Sequence, residues 1–350
     1  MNYALLALLA LLAVILPSQQ MSVAQCDVDP AGHRDSTVGF GRCLEKFPSG
    51  DILVPHGTYI ISGTIVMNRN QSLIGEGSKG SIIKCLATES PCIVAADTTG
   101  GPNNYSVSNI KNLGIEGPGT ESRSIGVYLG GDPSGHNSGK NAFGDAVNLI
   151  GVRITGFNHG VQWGNNAYAN KIVQSSIFGN GTGLYVPDGL RNSGEAIGVT
   201  DSNIFNNSHN GVEDHGHFEW MIQGSSFDYN ATAIEFYGST IHVANCHFEQ
   251  SGGQVFFEPF GSGNLSIRDS EILVQAPTGD DKYILSTWPQ SLTLVIDDVG
   301  VWSNHPVHYF MRMQGRISGS VTNLHGNGNG KIGAFSELSK TASLSPGQVF

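Results

Sequence analysis

The sequence predicts an all-β solenoid, a single-stranded parallel β-helix behind a short N-terminal cap, and three observations carry that prediction. An apolar anchor recurs at Ile154, Ile177, Ile204, Phe227, Phe248, Ile272, Val299 and Leu324, at spacings of 23, 27, 23, 21, 24, 27 and 25 residues. Periods of this length define stacked repeats. Brief alternating apolar runs, separated by turn residues, fill the chain, and uninterrupted amphipathic helices are scarce. Glycine contributes 47 of 350 residues and charged residues only 13%, the composition of many short strands joined by tight turns. Leucine-rich repeats share the period but need a Leu-rich consensus, and propeller blades need about 40 residues. A parallel β-helix remains, each coil stacking on the last to bury one continuous apolar column.

The chain opens on the apolar run Leu5 to Leu16, followed by the small-x-small triplet Ser22-Val23-Ala24. Together these read as an export leader over residues 1–24. Pro17-Ser18-Gln19-Gln20 stops the run short of the roughly 20 apolar residues that span a bilayer, and no later stretch could span one. The expected localisation is secreted or periplasmic. Residues 25–350 read as one elongated domain, with 25–50 as its cap and 331–350 as a C-terminal cap or tail. Five cysteines in an exported chain suggest disulfides. Cys85 and Cys92 flank a short loop, Cys26 can pair with Cys43, and Cys246 is left as a buried apolar side chain. Sequons stand at Asn70, Asn104, Asn180, Asn206, Asn230 and Asn264, in Asn-rich turns that produce such triplets by chance. The net charge of -11 argues against nucleic acid as a partner.

Asp35-Ser36-Thr37 precedes a capping helix that runs to Phe47. Three brief strands follow, within residues 51–61, 63–67 and 72–77. At Val54-Pro55-His56-Gly57-Thr58-Tyr59 and again at Leu73-Ile74-Gly75-Glu76-Gly77 the chain resembles the pectate-lyase-like superfamily. That resemblance implies a right-handed helix whose first coil is capped by an α-helix. Upstream it departs from the pattern, with Val38-Gly39-Phe40-Gly41 where relatives carry an Ala-Ile-Gln stretch. Residue-level motifs of two activities of the superfamily are also missing. The polygalacturonase-like branch carries an Asn-Thr-Asp strand, a paired Asp, a Gly-His-Gly and an Arg-Ile-Lys; this chain offers only Val199-Thr200-Asp201 and Asp214-His215-Gly216-His217. Pectate lyases of this fold use carboxylate-bound Ca²⁺ and a basic residue, for which Arg191, Arg153 and Lys171 are the few candidates.

Two interruptions, roughly 117–148 and 187–195, are expected as extruded loops walling a groove. Beside them, residues at equal positions in successive coils lie about 4.8 Å apart. With Val161, Leu184, Val212, Ile234 and Val255 taken as the inward apolar residues, those that follow face outward: Gln162, Tyr185, Glu213, Glu235 and Phe256. Three positions along from the same inward residues stand Gly164, Pro187, His215, Tyr237 and Glu258. Glu213 and Glu235 thus become neighbours, and two carboxylates held close on a rigid scaffold split into an acid and a base or nucleophile. The outward stack after the anchors adds a second pair, Asp228 and Glu249, with His247 nearby. The candidate catalytic residues are therefore Glu213, Glu235, Asp228 and Glu249. Candidate binding residues are His215, Tyr237, Tyr185, Trp163, Arg191 and His217, since sugar rings stack on exposed aromatics. His215 and His217 are placed on one face with Glu213 and Glu219, but no zinc-type spacing is present, so no metal is assigned.

The expected function is that of a secreted carbohydrate-active protein, a polysaccharide-degrading glycoside hydrolase using a carboxylate pair and no cofactor. One alternative is a β-eliminating, pectate-type lyase acting with Ca²⁺ on an acidic polysaccharide. The other is a non-catalytic carbohydrate-binding or adhesion protein.

Overall fold

The computed structural model describes residues 21–68, 70–95, 107–131, 146–250, 255–275, 283–303, 309–313, 316–327 and 343–346. It is a parallel β-solenoid of about 9 turns. Each coil lays down three strands, and strands at equal positions in successive coils pair in parallel. The first sheet starts with Gly50–Val54 and Gln71–Gly75, the second with Gly57–Ile61 and Ser81–Cys85, the third with Ile65–Met67 and Pro91–Ala95.

The anchors of the sequence form the inward column of the second sheet. Tyr59, Ile83, Ile115, Ile154, Ile177, Ile204, Phe227, Phe248 and Ile272 stand in register through successive coils, all nearly or fully buried. Val299 and Leu324 depart from the expectation. Val301 continues the Ile272 column, whereas Val299 pairs with Ser270 and Leu324 with Val299. These two residues fill a corner position that serines hold in earlier coils, so the apolar character survives while the phase shifts by two.

Corners are closed by side-chain ladders. Between the second and third sheets, the buried Asn180, Asn207 and Asn230 stack, each amide donating to a carbonyl of the coil before: Ile154, Ile177 and Ile204. Two of the sequon asparagines, Asn180 and Asn230, are thereby consumed inside the fold. Between the first and second sheets, Ser202 Oγ accepts from Ser175 N–H, Ser225 Oγ from Ser202 N–H, and Ser270 Oγ from Cys246 N–H. Cys246 occupies a serine position in this ladder, which is why it is buried and free of disulfide. The adjoining residues Asp201, Asn245 and Asp269 adopt φ of 50°, 53° and 48°, the left-handed turn that Asn and Asp tolerate.

The α-helix Thr37–Lys46 caps the first coil with Phe40, Cys43 and Leu44 buried. Its carbonyl end is satisfied by Gln71, whose Nε2 donates to Leu44 O and Phe47 O, both at 2.6 Å. Disulfides join Cys26 to Cys43 and Cys85 to Cys92. Met21, Ser22 and Val23, assigned by sequence to the leader, belong to the folded body: Leu53 N–H donates to Met21 O at 2.8 Å and Val23 is 0% exposed. The predicted excursion over 117–148 is in part a regular coil, since Ile125–Leu129 is a third-sheet strand paired on both sides. Residues 132–145 lie outside the described residues, as does most of the predicted tail, apart from Ser343–Pro346, which pairs with Ser318–Val321. Among the described residues, no helix is long and apolar enough to cross a membrane.

A candidate active site on the third sheet

Gln162, Tyr185, Glu213, Glu235 and Glu258 form one outward column of the third sheet, one residue per coil in parallel register. Each follows an inward apolar residue, and period-two alternation turns it to the outside. Val212 and Ile234, which precede the first two glutamates, are 0% exposed. Three carboxylates are stacked in consecutive coils by this register.

Glu213 and Glu235 are bridged. Asn210 Nδ2 donates to both, at 3.3 Å to Glu213 Oε2 and 3.0 Å to Glu235 Oε2, while Thr182 Oγ1 donates to Glu213 at 3.0 Å. His215 Nε2 sits between them, 3.3 Å from Glu213 Oε1 and 3.7 Å from Glu235 Oε1, off the hydrogen-bonding line of either. The side chains of Glu213, Glu235 and His215 are 21%, 18% and 29% exposed, so the cluster opens to the outside yet is largely desolvated. Burial, and then the charge of Glu213, raise the Glu235 carboxyl above its ordinary range against the pull of Asn210 and His215. Burial and Glu235 raise Glu258 in the same direction. These are the two effects expected of crowded carboxylates. One ligand atom each from Glu213, His215 and Glu235 lies within 4.8 Å of the others, so the same cluster has the donor set of a divalent-cation site.

Aromatic rings edge the cluster. His215 packs 4.3 Å from Tyr237, which stacks on Phe260 at 4.7 Å, and Tyr185 stacks on His159 at 3.9 Å. Beneath them Asp214 points inward, 0% exposed, and accepts from Gly216 N–H, Phe218 N–H, Trp220 Nε1–H and Ser239 Oγ at 2.7, 3.2, 2.8 and 2.7 Å. Burial pushes its carboxyl up and the four donors draw it back. This anchor folds the chain back directly after Glu213 and fixes the turn that carries His215.

Asp228 and Glu249 are also neighbours, but on the second sheet, so the four sequence candidates form two clusters. His247 Nε2 lies 4.0 Å from Asp228 Oδ1 and 3.6 Å from Glu249 Oε2. Ser226 Oγ donates to Asp228 at 2.7 Å, and the Tyr229 hydroxyl donates to Glu249. Burial raises Asp228 despite the Ser226 bond. The neighbouring coils carry Phe178 and Phe205 stacked 4.7 Å apart, ring on ring, which leaves edges and not faces to a ligand.

Several expectations are corrected. Trp163 is 0% exposed, its Nε1–H donating to Asn170 at 3.1 Å and its ring packed on Trp220 at 5.2 Å; it is core and offers no stacking surface. The inward third-sheet residue after Ile234 is Phe257 and not Val255, so Phe256 is buried and Glu258 joins the glutamate column. Three consecutive apolar residues, Val255-Phe256-Phe257, hide the phase there; the signal that marks Glu258 is its distance of 23 residues from Glu235, after 22 between Glu213 and Glu235. His217 and Glu219 do not share the strand face of Glu213, because the strand ends at Asp214 and Glu219 begins a first-sheet strand. Arg191 lies exposed on the 187–195 loop, its N–H donating to Asn165 Oδ1 at 2.8 Å, and it forms no ion pair with the glutamates among the described residues.

The architecture is that of a right-handed parallel β-helix of the pectate-lyase-like fold. No protein-family model matches the chain, and no curated protein matches it in sequence. Solved structures do share its fold. The enzymatically active domain of tailspike protein 4 from bacteriophage CBA120 is 15% identical with a TM-score of 0.63, over 87% of this chain and 43% of the other. The catalytic unit of the GH87 α-1,3-glucanase from Streptomyces thermodiastaticus is 14% identical with a TM-score of 0.59, over 95% and 68%. A DFA-IIIase from Arthrobacter chlorophenolicus A6 is 12% identical with a TM-score of 0.59, over 93% and 86%.

Proposed function

We propose that this protein is an exported glycoside hydrolase acting on a polysaccharide, with its site on the third sheet. The observation that carries the reading is the bridged pair Glu213–Glu235, in which burial and a neighbouring carboxylate hold a proton on Glu235. Glu235 is the general acid and protonates the glycosidic oxygen as the bond to the leaving sugar breaks. Glu213 attacks the anomeric carbon, and the acid's conjugate base then draws a proton from the water that releases the sugar. The adjacent-coil spacing of about 4.8 Å fits retention, for which carboxyl groups stand about 5–5.5 Å apart, and not inversion, which needs about 6.5–9.5 Å. His215 and Asn210 hold both carboxylates, and Tyr185 and Tyr237 border the sugar. The structural neighbours named as a glucanase and an enzymatically active tailspike domain support a carbohydrate substrate by fold alone. The two disulfides support an oxidising compartment.

The test is a polysaccharide panel read for both reducing ends and new ultraviolet absorbance. Reducing ends without absorbance, lost in Glu235→Gln and in Glu213→Gln, are expected. Undiminished turnover in both variants sinks the assignment, absorbance at product formation replaces hydrolysis by elimination, and retention without product leaves a binding protein.

A further inference from the structure

We infer that this site selects its glycan by charge, taking sugars that carry a free amine in preference to uncharged ones and turning away those that carry carboxylates or sulfates. The inference rests on the third-sheet location of the site and extends it to the substrate.

Hydrolysis uses two carboxylates, and the column holds three. Glu258 stands next to Glu235 in register, half-buried, and accepts no hydrogen bond and forms no ion pair within the described residues. The contrast with its neighbours is sharp, because Glu213 has Thr182 and Asn210 and Glu235 has Asn210. A carboxyl raised out of its ordinary range by burial and by another acid gains most from a donor that brings its own positive charge. A sugar ammonium supplies both the charge and three N–H donors in the geometry of a lysine head group.

The rest of the face agrees. On the third-sheet strands from His159–Trp163 to the Glu258 coil there is no Lys or Arg; the basic side chains are imidazoles, and burial holds that of His159 below its usual range. The first arginine in the Glu258 column is Arg312, two coils further on through Ser286. Nothing within the glutamate stack can pair a uronate carboxylate, and three acids in a row repel one. The net charge of -11 adds a repulsive field at longer range.

The experiment measures binding of three oligosaccharide sets of equal length: glucosamine oligomers, their N-acetylated counterparts, and galacturonate oligomers. The first two share a linkage and differ in the amine charge. Expected is tightest binding of the amine set, weaker binding of the acetylated set and none of the galacturonates, with the preference shrinking as salt rises. Glu258→Gln should weaken amine binding about tenfold, the loss of one charge-assisted hydrogen bond, while leaving the acetylated set within about twofold. Glu258→Lys should reverse the order. Thermal unfolding of each variant verifies that it is folded. Equal affinity for the amine and acetylated sets, tightest binding of galacturonates, or binding of none overturns the inference. The charge order without bond cleavage defeats the hydrolase reading alone, and cleavage of all three sets at equal rates defeats the charge selection alone.

Discussion

The N-terminal cap and the third-sheet face both display carboxylates, and they treat them in opposite ways. In the cap, Asp35 accepts from Thr37 N–H, Thr37 Oγ1, Ser62 N–H and Ser62 Oγ; burial pulls its carboxyl up, but these donors outweigh it and bring it down to about 2. Asp29 is likewise lowered, slight burial being outweighed by the N–H groups of Ala31, Arg34 and His33. On the third sheet the acids share one amide between two carboxylates, or have no donor, and are raised. A carboxylate saturated with internal donors holds a structure together. One left short of donors, in contact with other acids and open to the outside, is placed to exchange a proton or to meet a ligand. Asp214 and Glu213 show the same divide one residue apart, since alternation sends the first into a nest of four donors and the second to the surface.

Glu235→Gln offers the strongest way to break this comparison. Turnover should fall by about 10²–10⁴, the range of a lost general acid, while the unfolding temperature holds or rises because a raised, crowded carboxyl has been removed. A fall in stability would place Glu235 among the structural acids. Asp214→Ala should do the reverse of a site variant: stranding donors from Gly216, Phe218, Trp220 and Ser239 should cost about 3 kcal/mol or more in denaturant unfolding.

The two regions should also respond to pH with opposite sign. Glu235, Glu258, Asp214 and Asp228 are raised on folding, so their contribution is full below the ordinary carboxyl range near about 4 and is lost as pH rises through their folded values. Asp35 is lowered, so its contribution is present above that range and lost as pH falls toward about 2. Melting curves by circular dichroism should show stability declining from mildly acidic pH toward neutrality. Glu235→Gln with Glu258→Gln should flatten that slope, and Asp35→Asn should change only the acid limb while costing about 1 kcal/mol, the size of a lost cap. At the small end, Cys246→Ser returns the corner ladder to serine and should stay within about 1 kcal/mol of the parent. A larger loss would mean that the ladder needs the sulfur's packing and not a hydroxyl.

The coil itself is legible in the chain of residues. Its apolar period locates the second-sheet column from Ile154 to Ile272, the Cys26–Cys43 and Cys85–Cys92 partners follow from their proximity, and the 22 residues between Glu213 and Glu235 are enough to stack them. Those features can be read because alternation and repeat length are local properties, written out again in each coil. Whatever depends on phase after a corner came only from the packed fold. Packing brought Glu258 into the glutamate column, turned Trp163 into the core, carried Glu219 to another sheet and separated Asp228–Glu249 from Glu213–Glu235. It also set Val23 inside the folded body, so a leader peptidase that leaves the core intact must cut upstream of Met21, which N-terminal mass analysis of the mature protein would show. The physical reason is that period-two alternation specifies inside and outside only once one residue of the strand is known to point inward. Each corner shifts that phase by as many residues as its ladder and its left-handed turn residue require, and that number is fixed by packing between coils.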